Sequence, residues 1–366
     1  MTSEKFHHLF GGPPRQAGKE ELSQRHMDIA ASIQAVTEEA MLRCGRHLHA
    51  ITGMKSLCLA GGVALNCVAN GKLLREGPFD SIWIQPAAGD AGGALGAALF
   101  VHHQLLDGAR PARTRDVQKG SLLGPRFSND AVEDFLRSKS ARYNRHDDAD
   151  LAQRVAELID DGKVIGWFQG AMEFGPRALG SRSILGDARS PDMQTTMNLK
   201  IKFRESFRPF APVVLREKAT DWFALPKDAE SPYMLIVAPV ADRVRINNAE
   251  PGLQGLEKLK ARRSQIPAVT HVDASARVQT VDPERAPRLH ELLRAFEERT
   301  GCPVLINTSF NVRGEPIVCT PDDAWRCFLG TNIDVLIMEN FVILRDEQPN
   351  APRHAEGTYA TSFEPD

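Results

Sequence analysis

The sequence predicts an α/β protein of two domains, on three observations. Its 366 residues exceed one average domain and suit two. Between Ser56 and Leu106 the pattern of strand, Gly-bearing turn and helix occurs twice. From Leu151 to Ile343, short apolar runs alternate with stretches of helical period.

The elements follow in order. Residues 1–25 are polar and Gly/Pro-rich and read as a loop or a severed connection. Ile29, Ile33, Val36, Met41 and Leu42 recur at helical spacing and predict a helix from Met27 to His49, with Gly53 as its stop. Ser56 to Ala60 reads as a buried strand ending in Gly61-Gly62, and 66–76 as a helix. Ser81 to Ile84 is a second strand, closed by Pro86, and Asp90 opens a small-residue helix running to about Leu106. The polar stretch 107–129 separates the parts, giving a first domain at 1–115, a linker at 116–129, a second domain at 130–345 and a disordered tail at 346–366.

In the second domain, Leu151, Val155, Leu158 and Ile159 form one helical face, ended by Gly162, before a strand from Val164 to Phe168. Ser190 and Pro191 read as the N-cap and first residue of a helix to about Ile201. Strands are predicted at Pro212 to Leu215, Met234 to Val240, Val304 to Ile306 and Val335 to Ile343, with a strand or hairpin at Val269 to Val281. Arg288 to Thr300 is a helix capped by Gly301, and 241–266 reads as a mobile loop.

Composition excludes several classes. A net charge of -2 argues against a protein that coats nucleic acid. The six cysteines form no CxxC pair and suggest neither a zinc ribbon nor a disulfide framework. No stretch has the length of a signal peptide's apolar core or a membrane span, so a cytoplasmic protein is the expectation.

Six segments carry candidate chemistry. Gly61-Gly62, between strand and helix, suits close backbone approach to an anion, or serves only as a tight turn. Asp90 is an N-cap, or a metal- or phosphate-facing carboxylate at a strand's end. Phe174 to Ser183 holds two Gly, one Pro and two Arg; Arg177 suits bidentate anion pairing. Lys200 to Phe210 gathers four cations with Phe203 and Phe207, fitting a small polyanion or a solvated helix face. Alternation at 270–279 can put Asp273, Ser275, Arg277 and Gln279 on one strand face, lining a pocket or facing water. Asn307, Ser309, Asn311 and Arg313 form a polar loop after a strand. Together these loops predict a pocket for ligands with several negative charges.

Read together and in order, GGVALN, PAAGDAGGALGAAL, FGPRALGSRSILGDAR, KFRESFRPFAP, HVDASARVQT and NTSFNVRGEPIV resemble the NodU/CmcH family of carbamoyltransferases, over about residues 5 to 345. The resemblance implies the C-terminal lobe of an actin/sugar-kinase-like (TsaD-like) domain, followed by a YrdC-like α/β domain with a twisted sheet. It implies that the YrdC-like part makes carbamoyl-adenylate from carbamoyl phosphate and ATP with Mg2+, and that the TsaD-like part passes the carbamoyl group to a hydroxyl of a small molecule such as a sugar or antibiotic. Position by position, it assigns Arg177, Lys202, Arg208 and Arg277 to catalysis and Phe210, Asn307, Ser309, Asn311, Gly61 and Gly62 to substrate and ATP binding. It makes Asp90 a ligand of Fe2+. The family's HxxxH pair has no match, since no two of the eleven histidines stand four apart, so the lobe that carries it is expected to be missing. The partner then expected is a separate N-terminal lobe chain or a second copy of this one.

Overall fold

The computed structural model describes residues 2–16, 20–110, 116–205, 207–227, 229–246, 261–349, 359 and 363. The first part contains α1 (Glu4–Leu9), α2 (Gln24–Thr52), β1 (Ser56–Leu59), α3 (Cys67–Glu76), β2 (Ser81–Ile84) and α4 (Asp90–Phe100), which runs on into a π-helical turn, Val101–Leu105. Gly53, at φ 63, ends α2 in the left-handed region. β1 and β2 pair in parallel as a two-stranded sheet, with Leu59 opposite Ile84. This part is thinly covered: α2 buries only Leu42 and Gly45, α4 buries no residue, and Trp83 is 47% exposed.

The second part begins with α5 (Asn129–Ser138), β3 (Asn144–Arg145), α6 (Asp148–Asp160), β4 (Ile165–Phe168), β5 (Arg182–Asp187) and α7 (Met193–Lys200). It continues with β6 (Ala211–Leu215), α8 (Ala219–Trp222), β7 (Ile236–Pro239), β8 (Ser275–Val281), α9 (Pro287–Thr300), β9 (Val304–Ser309), α10 (Pro321–Gly330), β10 (Val335–Met338) and β11 (Phe341–Leu344). Its nine strands form one mixed sheet in the order β3-β11-β10-β4-β5-β9-β6-β8-β7. The pairs β4/β10 and β6/β8 are parallel and the others antiparallel. The inner strands β4, β5, β6 and β10 are buried along their whole length, so β4, β6 and β10 read as apolar runs rather than as alternation. The α/β class and the large sheet agree with the sequence.

Several sequence expectations are corrected. Residues 1–25 contain α1, fixed by Arg25, which donates to the Phe10 carbonyl at 2.7 Å. The run 335–343 is a hairpin, not one strand, turning at Glu339 (φ 47) and Asn340. Only Ser275–Val281 of the run 269–281 is strand. Pro267–Val269 is a 3₁₀ turn, and Asp273 sits in a turn where it accepts from the Ser275 amide at 3.0 Å. Asp192, not Ser190, caps α7, which leaves Pro191 before the helix. In the loop at 241–266, Asp242–Val244 forms a 3₁₀ turn and Arg245 bridges to Ser264, while 247–260 lie outside the described residues. Of the tail, Gln348 bonds both main-chain groups of Arg142 at 2.8 and 3.0 Å, and Tyr359 and Phe363 rest on the core; its other residues from 350 on lie outside the described ones. The stretch 116–129 is held to the second part by Asp116, which pairs with Arg285 at 3.1 Å, and by Ser121, which donates to the Phe174 carbonyl at 2.6 Å.

α3 docks onto β7, the edge strand of the large sheet. Asn70 donates to the Leu235 carbonyl at 3.0 Å and Arg75 to the Val237 carbonyl at 2.9 Å. The close approach needs Gly71, because a Cβ there would overlap the Val237 carbonyl oxygen. Ala in place of Gly71 gains helix propensity of about 1 kcal/mol. Overlap with a fixed backbone atom costs more, about 1–3 kcal/mol for overpacking. Gly71→Ala is therefore expected to lower the thermal midpoint, and a midpoint at or above the parent's would refute the docking geometry.

Candidate functional site

The corner after α7 is built by Asn198, which is fully buried. Its carbonyl accepts from the Arg204 amide at 3.0 Å, its side-chain oxygen from Arg204 Nε at 2.7 Å, and its Nδ2 donates to the Arg208 carbonyl at 2.9 Å. The turn is tight enough to force Phe203 to φ 49, a strained value for a non-glycine residue. It buries Lys202, whose Nζ donates to the Ser309 carbonyl and hydroxyl at 2.8 and 3.2 Å and to the Asn311 carbonyl and Oδ1, both at 2.7 Å. Lys202, Ser309 and Asn311, far apart in the chain, thus form one unit.

Around it stand further cations. Arg277 projects from β8, reaches the Cys67 thiol at the start of α3, and lies beside Arg177. Burial, then the Arg177 charge, lowers the Arg277 pKa to about 10. Burial, then Arg208 and Arg277, lowers that of Arg204 to about 10 as well. Lys202 falls furthest, to about 7, through burial and the neighbouring Arg204. Mutual repulsion is therefore felt from Arg177 through Arg277 and Arg204 to Arg208 and Lys202. Like charges gathered at such cost favour a bound polyanion. Glu205 pairs with Arg208 at 3.0 Å and stands 3.8 Å from Arg313.

Sheet register supplies the floor. Asn307 lies opposite Ala211, whose small side chain leaves room for Asn307 to cross β6 and donate to Gln279 at 2.7 Å. Gln279 in turn donates to the Leu179 carbonyl at 2.7 Å. Arg177 Nε, Asn307 Oδ1, Arg313 Nε and Ser183 Oγ are buried without a hydrogen-bond partner among the described residues. Buried orphans are rare enough to point to a ligand or water that would complete them.

The loop that carries Arg177 is braced by Glu173 and by the first part. Glu173 accepts from the Leu179 and Ser181 amides, both at 2.7 Å, and Gly175 (φ 138) lies against Pro86 and Ala87 of the first part. Arg182 of the same run is no ligand-binding cation: it is fully buried and stacks on Phe168 at 3.6 Å.

The structure thus brings together Arg177, Lys202, Arg208, Arg277, Ser309, Asn311 and Asn307. Phe210 lies beneath them, buried, with the Arg204 guanidinium 4.9 Å from its ring centroid. Gly61, Gly62 and Asp90 are exposed at the C-terminal ends of β1 and β2. Among the described residues no group of three His, Cys, Asp or Glu side chains could hold a metal, so Asp90 alone does not fit iron. A cleft of about 470 Å³ between β2 and residues 226–236 is lined by Trp83, Tyr233 and Arg285 and by none of the four predicted catalytic cations. Arg204, Asn198 and Cys67 are not singled out by the sequence. Arg204 lay in the cation run, but nothing local distinguished it from Arg208.

A family model described as "Carbamoyltransferase C-terminus" matches residues 156–345, and one described as "Carbamoyltransferase N-terminus" matches residues 1–99. An uncharacterized protein of Synechocystis, sll1178, is 57% identical over 370 residues, covering 100% of this chain and 59% of its own. Nodulation protein NolNO of Sinorhizobium fredii is 44% identical over 322 residues, covering 88% of this chain and 44% of its own. Nodulation protein NolO of Bradyrhizobium diazoefficiens is 43% identical over 322 residues, covering 88% and 55%. The chain spans about half the length of these relatives. T. kodakarensis HypF, a solved structure, overlaps 48% of this chain and 19% of its own at 18% identity and a TM-score of 0.30, too low to bear on the fold.

Proposed function

This chain belongs to the carbamoyltransferase family, and from that premise we propose that its second part, a YrdC-like domain, makes carbamoyl-adenylate. Carbamoyl phosphate, cleaved by water, yields carbamate and phosphate. A carbamate oxygen attacks the α-phosphorus of ATP, and pyrophosphate leaves. The carbamoyl group then passes to a hydroxyl of a small molecule such as a sugar or antibiotic, in the TsaD-like first part, and AMP is released. Mg2+ would accompany ATP.

The observation that carries this reading is Lys202, fixed by Ser309 and Asn311 and flanked by Arg204. Adenylate formation asks little covalent work of a protein. It needs phosphates held in line and their charge neutralised, which fixed guanidinium and ammonium groups supply. The orphaned Asn307 Oδ1 suits an amide donor such as the carbamoyl nitrogen. Asp90 belongs to no group of three His, Cys, Asp or Glu side chains among the described residues, so it does not make an iron site by itself.

The expected result is exchange of labelled pyrophosphate into ATP that depends on carbamoyl phosphate. Folded protein that shows none would sink the reading.

A second reading, a non-catalytic interaction subunit or degenerate copy that pairs with a separate lobe, is favoured by the uncovered faces of α2 and α4. Light scattering with and without such a partner separates the two, since a monomer unchanged by the partner speaks against pairing.

A further inference from the structure

We propose that Tyr359, beyond the segment matched by the family model, is a positioning residue that sets the geometry of the Lys202 site from the far end of the chain. The inference rests on the reading that Lys202 serves adenylate formation. A chain of hydrogen bonds links the two residues. The Tyr359 hydroxyl donates to Glu315 Oε1 at 2.6 Å. Glu315 Oε2 accepts from the Val312 amide at 2.8 Å, and the Glu315 carbonyl accepts from Asn311 Nδ2 at 2.6 Å. Asn311 Oδ1 accepts from Lys202 Nζ at 2.7 Å and from the Ser309 hydroxyl at 2.7 Å. The polar loop after β9 is therefore gripped on one side by Lys202 and on the other by Tyr359.

The seat of the tyrosine is prepared. Its ring lies over the end of α10, where a Cβ on Gly330 would overlap it, and meets Phe363 edge-on at 5.4 Å between centroids. Alanine has a higher helix propensity than glycine. The glycine at 330 is explained by the room that the ring takes. Burial, and then the bond to Glu315, raises the Tyr359 pKa, so its hydroxyl stays a donor across the working pH range.

The groups that face Lys202 are Arg204, Glu315 and Cys327, beside its neutral partners Ser309 and Asn311. Glu315 favours the ammonium form and Arg204 opposes it. Tyr359, the Val312 amide and the Cys327 thiol hold the Glu315 carboxylate in place. A carboxylate released from Tyr359 would orient Asn311 less well and support the ammonium less.

Three variants test this. Tyr359→Phe removes the hydroxyl and keeps the ring. Gly330→Ala displaces the ring while improving the helix. Glu315→Gln keeps an acceptor for the hydroxyl but removes the charge. Tyr359→Phe and Gly330→Ala are expected to lower kcat/KM for ATP in the exchange assay by about 3- to 10-fold, the range of one hydrogen bond. In all three, the alkaline limb of the kcat/KM profile moves to lower pH, which a merely structural role would not produce. Amide hydrogen exchange read by mass spectrometry gives a second readout, independent of activity: residues 309–315 exchange faster in Tyr359→Phe and Gly330→Ala, while α9 is unchanged. Parent-like exchange in 309–315, or a parent-like pH limb in Tyr359→Phe, overturns the proposal. A parent protein that exchanges no pyrophosphate overturns the adenylate reading instead, and the amide exchange still decides on Tyr359.

Discussion

Replacement of Lys202 by Met is expected to cut ATP–pyrophosphate exchange by about 100- to 1000-fold, the range lost when one fixed charge-stabilising donor is removed. The protein should stay folded. Met fills similar volume, and the loss of four donor contacts is offset by removing a buried ammonium whose desolvation is unfavourable. A pH signature accompanies the change. Burial lowers the lysine from 10.5 to about 7 in the folded protein. Between those values the unfolded chain holds a proton that the native state has released, so stability rises with pH across that window. The Met variant loses this rise. In the parent, kcat/KM for ATP should fall as pH climbs through about 7, because the ammonium form neutralises phosphate. Denaturant titrations at several pH values, with the exchange assay, check both statements. Full exchange activity in the Met variant would remove Lys202 from the site.

Arg182→Met is expected to have the largest effect on stability, about 3–5 kcal/mol, the range for breaking a buried charge from its partners. The guanidinium donates to the carbonyls of Gln169, Gly170, Ser181 and Pro125 at 3.0 to 3.2 Å and covers the Phe168 ring. Met can cover the ring but leaves four carbonyls without this donor. Arg182→Lys should fall between parent and Met, since an ammonium cannot span the same fork. Urea unfolding measures the difference, and a change below 1 kcal/mol for Met would contradict the buried role.

Arg182 also shows where the sequence is legible and where it is not. The run from Phe174 to Ser183 announces a special backbone, and Arg177 joins the cation cluster as expected. Nothing local reveals that the second arginine turns inward and opens the central strand β5. A strand buried on both faces lacks alternation, and its polar ends, Arg182 and Asp187, disguise it as loop. α10 was missed although its start is well marked, with Thr320 and Asp323 capping each other and Pro321 in the first turn. The hairpin at 335–344 read as one strand because Glu339 and Asn340 are the only polar break. Among the cations, the family resemblance assigns Arg208, but the fold gives the inner place to Arg204 through Asn198, a choice that only tertiary contact makes. Asp90 shows the opposite limit. Its position at a strand's end was read correctly, yet metal binding depends on companions that no local pattern supplies.

The parallel pair of β1 and β2 has a consequence for how the chain folds. Two short strands with one row of bonds between them have no independent stability in water. Their ordering depends on α3 being anchored to the rim of the nine-stranded sheet through Asn70, Gly71 and Arg75. Residues 20–110 should thus melt no later than that sheet, as a passenger without a transition of their own above it. Ligands that stiffen the larger sheet should delay the loss of both.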